Sequence, residues 1–199
     1  MFSAEEVIRF FDRLAPDWDN SIVRNDDVIT AILDNAKVTE GKDVLDVACG
    51  TGVLIPYYLD RNVSSVTGID ISPRMAEIAQ AKFTQPNVVI LCGDVEKMNA
   101  ERLYDCIVVY NAFPHFPDPE RLIGHLVSLL KPGGTLTVAH GMGREKINAH
   151  HSGTAQNISN GLISVEELAK IFEKFLKVTT VISDDRMYQA AGAKSIYGG

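Results

Sequence analysis

The sequence has little of what marks a secreted, membrane-spanning or nucleic-acid-binding protein. It holds three cysteines in 199 residues and no C-x-x-C pair, which argues against a disulfide framework and fits a reducing cytoplasm. Its apolar runs are far shorter than a membrane span, and its N-terminus lacks the basic region of a signal peptide. Acidic residues outnumber Lys and Arg by 26 to 19, giving a net charge of −7. We therefore expect a cytoplasmic protein with no nucleic-acid or membrane partner.

Against this background, one segment predicts a nucleotide-binding βαβ unit. The apolar run Val44–Ala48 reads as a buried parallel strand, and Gly50 and Gly52 then supply a tight turn before a helical pattern. The dinucleotide-binding pattern G-x-G-x-x-G would need a third glycine, but Ile55 stands in that place. No basic residue of a phosphate-binding loop follows. The loop therefore suits a nucleoside without phosphates better than NAD or ATP.

The second strand of this unit ends in an acid. Ser65–Asp70 is the next predicted strand, and Asp70 lies twenty residues beyond Gly50. A carboxylate at such a strand tip can accept hydrogen bonds from both ribose hydroxyls of a nucleoside.

The rest of the chain alternates strands with helices, which predicts a parallel sheet with helices on both faces. Two helices come first, one from the capping box Ser3–Glu6 to Leu14 and one from about Ile22 to Ala36. A final pair of strands has no helix between them. The further predicted strands are Val88–Leu91, Tyr104–Tyr110, Thr135–His140 (after a turn at 131–134), Leu176–Ser183 and Arg186–Ala193.

Several motifs together resemble those of a known family. V-L-D-V-A-C-G-T-G (44–52) and G-I-D-I-S (68–72) look like motifs I and II of class I S-adenosylmethionine-dependent methyltransferases. The agreement extends to Gly93-Asp94 and to the turn that ends in Gly133-Gly134. Phe11–Asp19 is similar to the "YDxxAxxYD" opening of the ubiquinone/menaquinone methyltransferase-like group.

This resemblance implies a single α/β domain over residues 1–199. Its fold would be a Rossmann-like, doubly wound, seven-stranded and mostly parallel sheet in the order 3-2-1-4-5-7-6, with the last strand antiparallel. Residues 1–38 would form a helical lid over a core at 39–199. S-adenosyl-L-methionine would be the cofactor.

The resemblance also assigns cofactor-binding residues. Asp46, Ala48, Gly50 and Gly52 would line the methionine half, with Asp46 anchoring the glycine loop and reaching the α-amino group directly or through water. The remaining assignments are Asp70 for the ribose, Ile71, Asp94 and Val95 for the adenine, and Asn111 beside the transferable methyl group.

The histidines are the candidate catalytic residues. His115 follows Asn111 in a loop similar to the "N-x-x-H-H-F" loop of small-molecule methyltransferases, although Pro114 replaces the first histidine. His140 ends a strand, and His150 and His151 follow it. They would bind an anionic or phenolic acceptor, supply a base or ligate a metal, or else lie exposed on a mobile loop. Their spacing is not that of a zinc site, so we assign no metal.

The predicted function is methyl transfer to a small-molecule acceptor by a monomer or homodimer. The Asn/Asp-Pro-Pro-Tyr motif of enzymes that methylate base amines is absent, which disfavours nucleic-acid acceptors. One alternative is a non-catalytic protein that binds S-adenosylmethionine or S-adenosylhomocysteine, because the glycine loop says nothing about the acceptor. A second is an NAD(P)-dependent oxidoreductase, which the missing third glycine disfavours.

Overall fold

A seven-stranded sheet with the order β3-β2-β1-β4-β5-β7-β6 forms the centre of the computed structural model, which describes residues 2–99, 101–154 and 156–196. β1 to β5 are parallel, and β7 runs antiparallel to both of its neighbours. This confirms the strand order that the family resemblance implies. The strands are β1 Asp43–Val47, β2 Ser65–Asp70, β3 Val88–Cys92, β4 Tyr104–Tyr110, β5 Leu130–His140, β6 Lys177–Ser183 and β7 Tyr188–Ala193.

The helices lie on both faces of the sheet and above one of its edges. The predicted capping box of Ser3 with Glu6 is present, Ser164 with Glu167 forms a second one, and each satisfies free N–H groups at a helix start. The helices are α1 Ala4–Leu14, α2 Trp18–Ser21, α3 Asp26–Asn35, α4 Ile55–Asp60, α5 Pro73–Lys82, α6 Pro119–Ser128, α7 Arg144–Thr154 and α8 Val165–Glu173.

The predicted start of the second helix at Ile22 is wrong. The chain forms the short helix α2 first, and Ile22 then has extended backbone angles. Asn25 begins α3, because its side chain accepts the N–H of Val28 at 3.2 Å and so favours a helix start at Asp26. The segment between α2 and α3 is therefore a connection that contains Arg24.

The predicted start of the fifth strand at Thr135 is also wrong. β5 begins at Leu130, which pairs with Tyr104, whereas Thr135 pairs with Cys106. The strand takes up the additional residues as an irregularity in which Gly133 has φ 76°, a left-handed angle that favours glycine. The predicted turn residues are thus part of the strand.

Two apolar clusters fill the space between the sheet and its helices. One cluster includes Leu126 of α6 and Phe172 of α8 on one face, and the other includes Ile32 of α3 and Tyr58 of α4 on the opposite face. Of the helices in the described ranges, none has the length and apolar character needed to cross a membrane.

Two carboxylates of the N-terminal helical segment bind it to the sheet edge where β1 and β2 end. Asp12 Oδ1 accepts from Ser72 Oγ (2.6 Å) and from the backbone N–H of Arg74 (3.1 Å), at the start of α5. Asp19 accepts from Thr51 Oγ1 (2.5 Å) in the glycine loop and from Lys82 Nζ (2.8 Å). These contacts hold α1 and α2 above the carboxyl ends of the parallel strands.

Candidate cofactor site

A cavity of about 350 Å³ lies between these N-terminal helices and the carboxyl ends of β1 to β4. Open α/β sheets bind ligands at this edge, and the volume falls in the range of small-molecule sites. The sheet side of its wall includes Ala48, Gly50, Asp70, Ile71, Asp94, Val95 and Asn111. The helical side includes Phe2, Val7, Phe11, Trp18, Ile22 and Arg24.

The loop after β1 has unusual backbone angles. Ala48, Gly50 and Gly52 all have positive φ, at 53°, 56° and 87°. For Ala48 this left-handed conformation costs about 1–2 kcal/mol, and such strain is characteristic of functional loops. The conformation turns the backbone so that the Gly50 N–H donates to Asp70 Oδ2 at 2.8 Å.

Gly52 was expected to line the methionine half, but the structure places it outside the cavity wall. A Cβ atom there would collide with the Phe83 ring and lie 2.9 Å from Ile55 Cδ1. Gly52 is therefore required by the packing of the loop against Ile55 of α4 and Phe83 at the end of α5 rather than by contact with the cavity.

Asp70 is buried at the tip of β2 and faces the cavity. Its two oxygens accept backbone N–H groups from Gly50 and Ser72, both at 2.8 Å. Burial raises the pKa of Asp70 to about 6 against the opposing effect of these two bonds. Each carboxylate oxygen keeps a second lone pair, so the side chain can still accept from two ribose hydroxyls.

Asp46 does not line the cavity, so the structure offers no support for its direct contact with a ligand. Its side chain points into the cluster beneath α4, close to the Tyr58 hydroxyl, and is 2% exposed. Within the described ranges, neither Asp46 Oδ2 nor the Tyr58 hydroxyl has a hydrogen-bond partner of good geometry. Burial raises the pKa of Asp46 to about 8. Asp46 is therefore mostly protonated at neutral pH. Its contact with the α-amino group of the cofactor through water stays a prediction.

The tip of β3 supplies the second acid of the cavity wall. Asp94 accepts the backbone N–H of Glu96 at 3.0 Å, which makes it the N-cap of the 3-10 turn Val95–Lys97 as well as a wall residue. Val95 and Ile71 form the apolar surface beside it. A wall that combines apolar side chains with a carboxylate suits an adenine ring and its exocyclic amine.

Asn111 joins the tips of β4 and β5. It has φ 55°, and its Oδ1 accepts the backbone N–H of Gly141 at 3.0 Å. The neighbouring Tyr110 ring also reaches the cavity wall. Asn111 therefore holds the ends of β4 and β5 together at the part of the cavity wall where we expect the transferable methyl group.

The four candidate histidines do not form one cluster. His115 lines the cavity, its Nδ1 lies 2.8 Å from the Ile158 carbonyl oxygen, and its ring packs edge-on against Phe11 at 5.1 Å. His140 is 2% exposed, lies outside the cavity wall and packs against Tyr188. His150 and His151 belong to α7 rather than to a loop, and their side chains lie outside the described part of the structure.

A carbonyl oxygen can only accept a hydrogen bond, so the Nδ1 of His115 carries the proton in this contact. In the neutral ring, Nε2 is then the nitrogen with the lone pair. Over residues 2–99, 101–154 and 156–196, no group of three or more metal-ligating side chains forms a candidate metal site.

Sequence reasoning missed Arg24 as a wall residue of the cavity. Arg24 lies in the connection between α2 and α3, within the range that the sequence predicts as helix. The Asn25-Asp26-Asp27 run is a helix-start signal, and it would have placed Arg24 in a connection.

The sheet order and the cavity at the ends of its first four strands define the class I methyltransferase fold. The chain shares this fold with an N-methyltransferase, NodS from Bradyrhizobium japonicum WM9, solved in complex with S-adenosyl-L-homocysteine. That structure has a TM-score of 0.73 and 16% identity, with 96% of this chain and 97% of that chain covered.

Comparisons of sequence assign the family. A family model described as "Methyltransferase domain" matches residues 44–134. A malonyl-[acyl-carrier protein] O-methyltransferase from Priestia megaterium is 33% identical over 144 residues, which is 67% of this chain and 53% of that protein. A ubiquinone biosynthesis O-methyltransferase from Coxiella burnetii is 33% identical over 141 residues, 66% of this chain and 59% of that protein. The chain belongs to the class I S-adenosylmethionine-dependent methyltransferases, and it spans little more than half the length of these two relatives.

Proposed function

We propose that the chain transfers a methyl group from S-adenosylmethionine to an oxygen atom of a small-molecule acceptor. The observation that carries this proposal is the pair of acids at the tips of adjacent strands, Asp70 and Asp94, which line one cavity together with the apolar residues that follow them, Ile71 and Val95. A nucleoside with a ribose at one end and an amine-bearing base at the other matches this pattern. The wall around it is mostly apolar, which suits a cofactor without phosphates.

The residues present fit S-adenosylmethionine. Gly50 has no side chain where the ligand would pass between the glycine loop and Trp18, and Asp70 keeps acceptor capacity for the ribose. Bound there, the cofactor supplies an electrophilic methyl group on a sulfonium, so the protein's task is alignment and exclusion of water. The N-terminal helices cover the cavity and serve that second purpose.

His115 is the residue we propose as the base. It lies on the cavity wall, and its contact with the Ile158 carbonyl fixes the tautomer whose Nε2 can take a proton from a hydroxyl acceptor. Phe11 packs against the ring and holds its orientation. An oxygen acceptor is favoured because the two curated relatives are O-methyltransferases by name.

Calorimetry followed by a turnover screen tests the proposal. The chain should bind S-adenosylhomocysteine in the micromolar range and not bind NADH, and methyl-labelled S-adenosylmethionine should label phenols or carboxylates in preference to amines and thiols. Binding of NADH alone would contradict the cofactor assignment. Binding of S-adenosylhomocysteine without turnover on any acceptor would favour a non-catalytic binding protein.

The His115→Gln variant tests whether His115 acts in catalysis rather than in cofactor binding. It should keep its affinity for S-adenosylhomocysteine within about threefold and lose turnover by a factor of about 10²–10⁴, as expected for a missing base. Unchanged turnover in this variant would remove His115 from the mechanism.

We further propose a cytoplasmic protein, a division into a lid (1–38) and a core (39–199), and a monomer or homodimer in solution. The free thiols of Cys49, Cys92 and Cys106 support a reducing compartment. The position of α1 and α2 above the cavity supports the lid. Light scattering of the purified chain would decide between the two oligomeric states.

A further inference from the structure

The chain that follows α7 packs against the loop that carries His115. The Ile158 carbonyl oxygen lies 2.8 Å from His115 Nδ1, and the backbone N–H of Asn160 donates to the Pro114 carbonyl at 3.0 Å. The side chain of Asn160 adds a third contact, because its Nδ2 donates to the Pro117 carbonyl at 3.2 Å. The loop is therefore held against this stretch of chain on both sides of the imidazole.

This stretch, residues 158–162, is anchored at its far end by a side chain of α7. Asn148 bonds both backbone groups of Leu162: its Oδ1 accepts the N–H at 2.6 Å, and its Nδ2 donates to the carbonyl at 3.2 Å. Arg144, about one turn earlier in α7, donates to the same carbonyl through Nε at 2.8 Å. Gly161 allows the chain to turn back toward Asn148, since its φ of 73° is a left-handed angle that favours glycine.

The course of residues 158–162 decides which group faces the His115 ring. A carbonyl oxygen only accepts, so its contact keeps the proton on Nδ1 and leaves the lone pair on Nε2. A backbone carbonyl has no side chain to direct it, so the chain on either side must be held. On one side, Ile158 itself is 4% exposed and packs against Val7 of α1. On the other side, the anchor is Asn148.

We propose that Asn148 is a positioning residue for methyl transfer, which acts through residues 158–162 to keep the His115 ring in its Nδ1–H tautomer. This inference rests on the proposed function, in which His115 is the base. Asn148 lies outside the described wall of the cavity, so it acts through His115 rather than by touching cofactor or acceptor. Without its two bonds the Ile158 carbonyl can turn away, and Nε2 then carries the proton in part of the molecules.

Two substitutions of Asn148 test this role in turnover. Asn148→Ala removes both bonds to Leu162 and should lower kcat about tenfold, because the base is present but less often aligned. The KM for S-adenosylmethionine and the affinity for S-adenosylhomocysteine should stay unchanged. Asn148→Asp keeps an oxygen for the Leu162 N–H, the shorter of the two bonds, and should retain kcat within about threefold of the unaltered chain.

Nitrogen-15 NMR of the histidine rings reports the tautomer independently of turnover. The His115 signals are those that disappear in His115→Gln. At a pH where the ring is neutral, they should show the Nδ1–H tautomer in the unaltered chain and in Asn148→Asp, and a mixture of both tautomers in Asn148→Ala. Asn157→Ala is the matched control, because Asn157 is an exposed asparagine directly before Ile158. It should change neither the spectrum nor kcat.

A pure Nδ1–H tautomer in Asn148→Ala would overturn the proposal even if kcat fell. Equal losses of kcat and of affinity for S-adenosylhomocysteine would also overturn it, because they would indicate a general disturbance of the fold. So would a mixed tautomer with unchanged kcat, where His115→Gln loses turnover. Failure of the unaltered chain to bind S-adenosylhomocysteine, or full turnover by His115→Gln, would instead reject the proposed function, and the spectra would still decide whether Asn148 holds the tautomer.

Discussion

Asp46 and Asp70 show how burial gives two carboxyl groups of neighbouring strands different properties. Asp70 accepts two backbone N–H bonds and faces the cavity, whereas Asp46 points beneath α4 toward Tyr58. Burial raises both pKa values, to about 6 and about 8. At neutral pH, Asp70 is therefore mostly ionised and suited to bind hydroxyls, and Asp46 is mostly protonated.

The pH dependence of cofactor binding should report Asp70. Because its ionised form is the better acceptor for ribose hydroxyls, the affinity for S-adenosylhomocysteine should fall as the pH drops through about 6. Asp70→Asn should bind about 10- to 100-fold more weakly at pH 7.5 and should lack this pH-dependent component. Calorimetric titrations between pH 5 and 7.5 measure both effects, and parallel curves for the two proteins would contradict the ribose assignment.

The stability of the fold should report Asp46. Its pKa is about 8 in the folded chain and near 3.8 when unfolded, so the folded chain holds a proton that the unfolded chain has lost between those values. Its contribution to the free energy of unfolding therefore falls as the pH rises from about 4 to 8. The side chain of Asp46→Asn cannot ionise. As the pH rises through this range, the free energy of unfolding of this variant should therefore increase relative to that of the unaltered protein, by up to about 1.4 kcal/mol per pH unit.

Urea unfolding at pH 5, 6, 7 and 8 gives this difference directly. Asp60→Asn, a change of an exposed carboxylate on α4, is the control and should follow the unaltered protein at every pH. A constant difference between Asp46→Asn and the unaltered protein would show that Asp46 does not hold a proton in the folded chain.

Single residues also show why the sequence predicted part of the site. Asp70 ends one predicted strand and Asp94 follows the next, and the ends of parallel strands meet at one edge, so their convergence follows from the pattern alone. His140 also ends a strand, but side chains alternate between the faces of a sheet. It falls on the face of Leu136 and Val138, beside Tyr188, and is buried there.

At the scale of the element, the boundaries and the placement of the N-terminal helices are harder to predict from the sequence than those of the strands. Their capping signals are local, and the Ser3–Glu6 box was predicted correctly. The break between α2 and α3 depends on the competition between a continued helix and the Asn25 cap. The placement of these helices over the cavity depends on Asp12 and Asp19, whose partners are between 32 and 63 residues away in the chain.

The contact of Asp12 should keep α1 closed over the cavity. Ser72 both caps α5 and donates to Asp12, so the contact joins α1 to the start of a second helix. Asp12→Ala removes both bonds and should accelerate backbone hydrogen exchange in residues 4–14. It should also weaken binding of S-adenosylhomocysteine about fivefold, equivalent to roughly 1 kcal/mol for a lost hydrogen bond.

Asp17→Ala is the control for this variant. Asp17 is an exposed acid that precedes α2, and its side chain makes no capping bond. Its hydrogen exchange and its affinity should match those of the unaltered chain. If Asp12→Ala exchanged at the same rate as Asp17→Ala, the closure of α1 would have to depend on its apolar contacts instead.

At the scale of the whole molecule, the alternation of strands and helices predicts only a parallel sheet covered on both faces, and the strand order could be predicted because the motifs at the strand ends resemble those of class I methyltransferases. The register of β5 against β4 could not be predicted from the sequence. At the irregularity in β5, Lys131 is not paired with β4, and its side chain reaches Asp43 of β1 and Asp105 of β4. These contacts are long-range and have no local sequence signal. The sequence reading of this segment as a turn recognised Gly133 but not the sheet around it.

Lys131 stabilises the end of the sheet opposite the cavity. Its Nζ donates to Asp43 and Asp105, both at 2.8 Å, and thereby joins the beginnings of β1 and β4 to β5. The hydrogen bond from Lys131 lowers the pKa of Asp43 to about 2. This contribution to stability is present above the unfolded pKa of 3.8 and is lost as the pH falls through about 2.

Lys131→Met should therefore lower the free energy of unfolding at pH 7 by roughly 1 kcal/mol, a modest value because the charges are partly exposed, and by much less near pH 2. Lys174→Met, which breaks the more exposed pair with Glu120, should change it by less than about 0.5 kcal/mol. Neither variant should change binding of S-adenosylhomocysteine, since the cavity lies at the other end of the strands. Weaker binding by Lys131→Met at temperatures well below unfolding would show that the two ends of the sheet are coupled, and that the glycine loop depends on the anchoring of β1 at Asp43.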